Sequence, residues 1–350
     1  MSSKAKVEHW LHRQWSKRGL FSLLLRPLSW LATYYVQRKS SQPRTTLNIT
    51  PPPIIVVGNI IVGGTGKTPV VLALCDFLQT QGWKPGIISR GYGVDIKNSP
   101  ARVGQGQLSA TEFGDEPTLL AQKSGVPIAV HPKRVQALEA LLTKHPEINV
   151  VIADDGLQHQ ALCRDLEIIV QDARGMANGL VLPAGPLREP PAKLSKADWL
   201  ITQLAPGQSL PNTPRPTQAS RCVTMRLAPL QFEQLSTGQT LAPHAWLERY
   251  QNQACIAIAA IGQPTRFFSM LTQFGIHLKQ SIGLADHGLL NMASFTQLDA
   301  QCLLITAKDA VKYPTVNDSR IWVVHVSPQF TPSRWLFELE HQLQHVLQQR

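Results

Sequence analysis

Ile54-Ile55-Val56-Val57-Gly58-Asn59-Ile60-Ile61-Val62-Gly63-Gly64-Thr65-Gly66-Lys67-Thr68-Pro69 is the stretch whose reading decides the fold. Four consecutive β-branched residues suit a strand buried on both faces of a parallel sheet. The run empties into a glycine-rich loop, and Val70 to Gln79 then has helical composition. Strand, glycines, Lys-Thr and helix in that order read as a phosphate cradle. Main-chain N–H groups close around the anion, Lys67 reaches the β/γ-phosphates and Thr68 holds Mg2+. Ile61, Val62, Gly63, Gly64, Thr65, Gly66, Lys67 and Thr68 are therefore the candidate nucleotide-binding set. The strict G-x-x-x-x-G-K-[ST] pattern is missed at one place, because its first glycine falls on Ile61.

Outward from the loop, apolar runs and helical stretches alternate. Strands are expected near 54–57, 85–89, 149–154, 166–171 and 198–202, with helices near 67–80, 116–124 and 132–144. This βα alternation predicts an α/β fold, a P-loop doubly wound and mostly parallel sheet. Residues 205–218, with Pro206, Pro211, Pro214 and Pro216, break the pattern. A second, smaller α/β set follows, with strands near 220–227, 254–261, 276–282, 302–305 and 321–326 and helices near 264–274 and 333–349. The expected division is a basic aromatic segment at 1–49, a P-loop domain at 50–219 and a smaller domain at 220–350.

The charge is local. Residues 1–50 carry nine Lys/Arg and one acid, Glu8, so they hold +8 of the formal +11. A nearly neutral remainder argues against a nucleic-acid groove on the folded body and for an anionic surface met by the N-terminus. Leu20 to Val36 is mostly apolar, surrounded by Trp10, Trp15, Trp30, Tyr34 and Tyr35 and flanked by lysines and arginines. Spanning a bilayer takes roughly 20 uninterrupted apolar residues, and Arg26-Pro27 cuts this run. A helix lying in the membrane surface is the expected arrangement, with an amphipathic helix packed on its own domain as the alternative. The five cysteines are widely spaced and lack C-x-x-C pairs, which fits reduced thiols and makes a zinc site unexpected.

Asn149-Val150-Val151-Ile152-Ala153-Asp154-Asp155-Gly156 is an apolar strand ending in two carboxylates. Alone, such an end is more often a turn; coupled to the upstream loop, it reads as the acidic partner that orients Mg2+. Gln158 and His159 follow it closely. Asp115, in Gly114-Asp115-Glu116-Pro117, suits either a helix cap or a catalytic carboxylate that accepts a hydroxyl proton. Asp286-His287 is either a surface pair or an imidazole oriented by a carboxylate. Arg90, Arg134 and Arg188 sit on glycine- or proline-rich loops and suit an anionic phosphate.

The ordered set of motifs resembles the tetraacyldisaccharide 4′-kinase family, the lipid A 4′-kinases of Gram-negative bacteria. It runs through the phosphate loop, Ser89-Arg90-Gly91-Tyr92-Gly93, Gly114-Asp115-Glu116-Pro117, Asp154-Asp155-Gly156-Leu157-Gln158-His159, Pro183-Ala184-Gly185-Pro186-Leu187-Arg188-Glu189-Pro190 and Thr306-Ala307-Lys308-Asp309-Ala310-Val311-Lys312. The resemblance implies transfer of the ATP γ-phosphoryl group to the 4′-hydroxyl of a tetraacylated disaccharide 1-phosphate at the cytoplasmic face of the inner membrane. The chain would be peripheral or monotopic there, without an obligate protein partner. The resemblance also implies that Asp115 and His287 act as the base, with Lys67 as a catalytic cation. Thr68, Asp154 and Asp155 would serve the metal, and Tyr92, Arg134, Asp155, Gln158, His159 and Arg188 the substrate. Gly288 and Ala307 depart from the family pattern near its nucleotide-base and lid regions. A membrane-surface partition-type ATPase is the rival, but such proteins want a lysine where Val62 stands.

Overall fold

In a computed structural model, the described residues are 10–11, 14–15, 18–40, 50–96, 99–216, 221–284, 288, 295–313 and 317–350. They fall into two compact units. Unit 1 comprises Met1–Leu204, Ser209–Met225 and Phe330–Arg350; unit 2 comprises Ala205–Gln208 and Arg226–Gln329.

Helix α1 (Leu20–Ser40) of unit 1 continues through Pro27. It binds its own unit by polar groups. Ser29 Oγ donates to Val181 O at 2.7 Å and accepts from Ala184 N at 2.9 Å, while Asn178 Nδ2 donates to Ser22 Oγ at 3.0 Å. Trp15 Nε1 and Arg18 Nε, just before the helix, donate to Pro183 O and Asn178 O. The outward face carries Leu20, Leu23, Leu24, Leu28, Trp30, Leu31, Tyr34 and Tyr35, all exposed. No helix among the described residues is long and apolar enough to cross a membrane.

The central layer of unit 1 follows from the Ile-Val runs. Strand β1 (Ile54–Gly58) is buried throughout and leads to helix α2 (Lys67–Thr80). Then come β2 (Pro85–Ser89), β3 (Arg102–Gly104), α3 (Ala110–Phe113), α4 (Asp115–Ser124), β4 (Ile128–Val130), α5 (Arg134–Lys144), β5 (Val150–Asp154), β6 (Leu166–Asp172), β7 (Trp199–Gln203) and β8 (Cys222–Gln234). The strand order within the unit is β3-β4-β2-β5-β1-β6-β7-β8. Every pair is parallel except β3 with β4. Val70, Val71, Leu74 and Leu78 of α2 are fully buried, each contributing about 1.5–3 kcal/mol of apolar burial.

Unit 2 holds the rest of β8 from Arg226 onward, then β9 (Thr240–Leu241), α6 (Pro243–Tyr250), β10 (Cys255–Ala259), α7 (Pro264–Gln273), β11 (Leu278–Gly283), β12 (Cys302–Thr306), α8 (Ala307–Ala310) and β13 (Ile321–Thr331) as far as Gln329. Its parallel strands run in the order β11-β10-β12-β13, and β9 pairs antiparallel with β8. Its core is aromatic, with Phe232 stacked on Trp246 at 4.5 Å and Trp322 meeting Trp246 edge-on.

The division differs from a simple cut at 219/220. Helix α9 (Trp335–Gln348) belongs to unit 1 because Trp335, fully buried, packs on Trp199, and Phe337 packs on Phe77. Glu340 and Gln342 accept from the indoles of Trp83 and Trp199. Arg350 then pairs with Asp165 at 2.7 Å.

Candidate active site

Strands β1 and β5 pair in register from Ile54 with Val151 to Val57 with Asp154. The chain leaves β1 toward β2 on one side and later continues through β6 and β7 on the other. The carboxyl ends of β1 and β5 therefore stand at the strand-order reversal, where open α/β sheets bind ligands.

The loop after β1 is held by groups on its inner side. Gly63 and Gly66 are left-handed, at φ 89° and 91°. A Cβ on Gly66 would lie 2.1 Å from Gln203 Oε1 and 3.1 Å from Met225 Cε, so glycine is required there on two grounds. Buried Asn59 donates from Nδ2 to Gly63 O at 3.1 Å and to Thr65 Oγ1 at 3.2 Å. Ile61 and Leu187 form an antiparallel bridge, Val62 N donates to Pro186 O, and Arg188 N donates to Ile60 O. Gly63 and Gly64 are left exposed, while Lys67 and Thr68 sit half-buried in the first turn of α2.

Asp154, the last residue of β5, and Asp155 just after it have opposite surroundings. Asp155, left-handed at φ 49°, takes Arg188 at 3.1 Å and Lys67 Nζ at 3.4 Å. Burial works to raise its carboxyl, but Lys67 and then Arg188 hold it well below the usual carboxylate range. Asp154 is nearly inaccessible and accepts from Ser89 Oγ at 3.2 Å. Burial, aided by the charge of Glu116, pushes it up to about 6 against Lys67 and Arg134. One carboxylate is locked in ion pairs and its neighbour is held high by burial.

The remaining sequence candidates divide. Arg134 is 2% exposed and donates to the carbonyls of His131, Asp154 and Asp155 at 3.0, 3.4 and 3.5 Å. Burial lowers its guanidinium to about 10. It braces the acidic turn from behind. Gln158 Nε2 donates to Asn59 O at 3.3 Å, tying that turn to the phosphate loop. His159 is half-buried, and its carbonyl accepts from Arg164 at 2.6 Å. Tyr92 is 65% exposed on a turn between Gly91 and Gly93. Gly114, at φ 92°, packs so closely there that a Cβ would lie 2.8 Å from Tyr92 O, and Asp115 opens α4 directly after it. His287 lies outside the described residues, as does Asp286. Among the described residues no group of three His/Cys/Asp/Glu forms a metal cluster.

Sequence reasoning missed Asn59, Ser89, Glu116, Asp172, Arg174 and Gln203. For Asn59 a signal exists, since it directly follows the strand that feeds the loop, and Ser89 and Glu116 stand in the Ser89–Gly93 and Gly114–Pro117 motifs; Asp172, Arg174 and Gln203 are assembled only by the fold.

A glycine loop between a buried parallel strand and a helix opening in Lys-Thr, with a carboxylate pair on the adjacent strand, defines the P-loop nucleotide-binding class. The family model described as Tetraacyldisaccharide-1-P 4'-kinase matches residues 21–347. The chain is 45% identical over 336 residues to the tetraacyldisaccharide 4'-kinase of Bordetella parapertussis, covering 95% of each chain. It is 42% identical over 333 residues to that of Dechloromonas aromatica, covering 93% of this chain and 95% of the other. Among solved structures, the "apo" form of LpxK from Aquifex aeolicus in complex with ATP superposes with a TM-score of 0.71 at 25% identity, covering 93% of this chain and 99% of that one. The chain belongs to the tetraacyldisaccharide 4'-kinase family, a family of enzymes.

Proposed function

We propose that this enzyme transfers the γ-phosphoryl group of ATP to the 4′-hydroxyl of tetraacyldisaccharide 1-phosphate, forming lipid IVA in lipid A biosynthesis at the cytoplasmic face of the inner membrane. The observation that carries this reading is the contrast between Asp154 and Asp155 beside the glycine loop, in a chain matching the family from residue 21 to 347.

Lys67 and the loop N–H groups offset phosphate charge, and positioning supplies most of the catalysis. Thr68 and Asp154 fit a divalent cation: Asp154 is a buried carboxylate with a hydroxyl donor, whereas Asp155 already holds two cations. Mg2+ bound there would neutralise phosphate oxygens. Asp155 then serves by fixing Lys67 and Arg188. Asp115 accepts the proton of the attacking hydroxyl. Tyr92, His159 and Arg188 meet the disaccharide or its phosphate, while Arg134 and Gln158 position the acidic turn. The exposed Leu-Trp-Tyr face of α1, flanked by basic residues, supports docking on an anionic bilayer as a peripheral helix.

The test is transfer from γ-labelled ATP to tetraacyldisaccharide 1-phosphate in detergent micelles. Labelled bis-phosphorylated lipid that is absent with Lys67→Ala supports the assignment. ATP hydrolysis without labelled lipid refutes it. Asp115→Asn should lower kcat by about a hundredfold or more while leaving ATP affinity nearly intact; equal losses in both would remove Asp115 from the base role.

A further inference from the structure

Asp172, the last residue of β6, is wholly buried next to the strand that feeds the phosphate loop. Its Oδ1 accepts from the Arg174 main-chain N at 2.9 Å and from Arg174 Nε at 3.0 Å, and its Oδ2 accepts from Nη2 at 2.7 Å. Such a fork fixes the plane of the guanidinium. The hydrogens left over reach the loop: Nη1 donates to Val62 O at 3.4 Å and Nη2 to Gly64 O at 3.3 Å. Between them, Gly63 O is held by Asn59. Three successive carbonyls are therefore tied down by side chains. In a planar trans peptide the C=O and the next N–H point in opposite directions. Holding the carbonyls of residues 62, 63 and 64 turns the N–H groups of 63, 64 and 65 away from the side chains that hold them.

We propose that Asp172 and Arg174 form a clip that aims the loop's N–H groups at the nucleotide phosphates, which makes Arg174 a positioning residue for the transfer reaction. The inference rests on the reading of this loop as a nucleotide cradle. Each hydrogen bond to the loop is long, so the effect comes from the pinned fork; a lysine would keep the charge and lose the aim.

The test is equilibrium binding of Mg2+ with N-methylanthraniloyl-ADP to Arg174→Ala, Arg174→Lys, Asp172→Asn and Lys67→Ala, with KM for both substrates and Tm measured in parallel. Both Arg174 variants should bind the probe about tenfold to a hundredfold more weakly, with a matching rise in the KM for ATP and an unchanged KM for lipid. Asp172→Asn should do the same, and adding Arg174→Ala to it should cost nothing further. Arg174 variants that bind within about twofold of wild type, while Lys67→Ala loses binding, refute the clip and leave the cradle standing. Unchanged binding in Lys67→Ala removes the cradle and the clip together. A fall in Tm with both KM values rising marks a general folding defect and also overturns the proposal.

Discussion

Glu167→Gln tests the ion-pair network under the acidic loop. Glu167, on β6, has a side chain 13% exposed that receives Arg164 at 2.7 Å and Lys193 at 2.6 Å. Arg164 is itself 7% exposed and also donates to the carbonyls of Leu157 and His159. Removing the charge leaves two cations facing a neutral amide. Breaking a buried pair costs about 3–5 kcal/mol, and because Lys193 is partly wetted and glutamine still accepts one hydrogen bond, about 2–3 kcal/mol is expected here. For a chain of this size that corresponds to a fall in Tm of about 3–6 °C at pH 7.5. The pH dependence has a definite sign. Burial raises the Glu167 carboxyl, but Lys193 and Arg164 outweigh it, so its folded pKa lies below the unfolded value of about 4.3. The stabilisation is fully present above that value and disappears as pH falls toward the folded pKa. Thermal unfolding of both proteins from pH 8 to 3.5 should give a constant gap down to about pH 5 that then narrows. A gap as wide at pH 3.5 as at pH 7.5, or a loss under about 2 °C at pH 7.5, refutes the reasoning.

Three other outcomes follow from the geometry. Gly66→Ala meets both a left-handed backbone, costing about 1–2 kcal/mol, and Gln203 at 2.1 Å; calorimetry with ADP should show binding lost while circular dichroism stays native. Ser29→Val leaves Val181 O and Ala184 N without their side-chain partner; about 2–4 kcal/mol of local stability goes with it, read as faster amide exchange in α1 and residues 181–185. Leu24 and Leu28 are exposed on α1; replacing each by serine removes about 1.5–3 kcal/mol of apolar transfer, so binding to anionic vesicles should drop at least tenfold per substitution, and undiminished sedimentation with vesicles would remove this face as the docking surface.

The elements around the phosphate loop were legible in the sequence because each is long and chemically uniform. The strand expected at 54–57 is Ile54–Gly58, and the helix expected at 67–80 is Lys67–Thr80. Strands β8 and β13 run to Gln234 and Thr331, well past their expected ends, because Pro229 and Pro328 read as ladder breakers yet sit inside long strands. Strands β3 and β4, each spanning Arg102–Gly104 and Ile128–Val130, are too short to show a period. Helix α6 opens at Pro243 and is brief enough to resemble a loop. At the site, residue type suggested which groups face a phosphate but not which side of the chain they work from. Arg134 and Arg188 look alike in sequence; one is buried under main-chain carbonyls and the other grips Asp155. Asp172-Ala173-Arg174 follows the strand expected at 166–171, and the loop partners of Arg174 lie at Val62 and Gly64, more than a hundred residues earlier.

Helix α1 is fastened with its polar side inward, at Ala184 among other points, and Arg188 follows only four residues further along the same segment. A chain can extend at most about 3.5 Å per residue, so Ala184 and Arg188 are separated by no more than about 14 Å. The phosphate loop is joined to this segment through Arg188 N on Ile60 O, so the helix and the loop share one short stretch of chain. On the proposed docking of the outer face of α1, Arg188 would stay within about 14 Å of the point where the helix is anchored at Ala184.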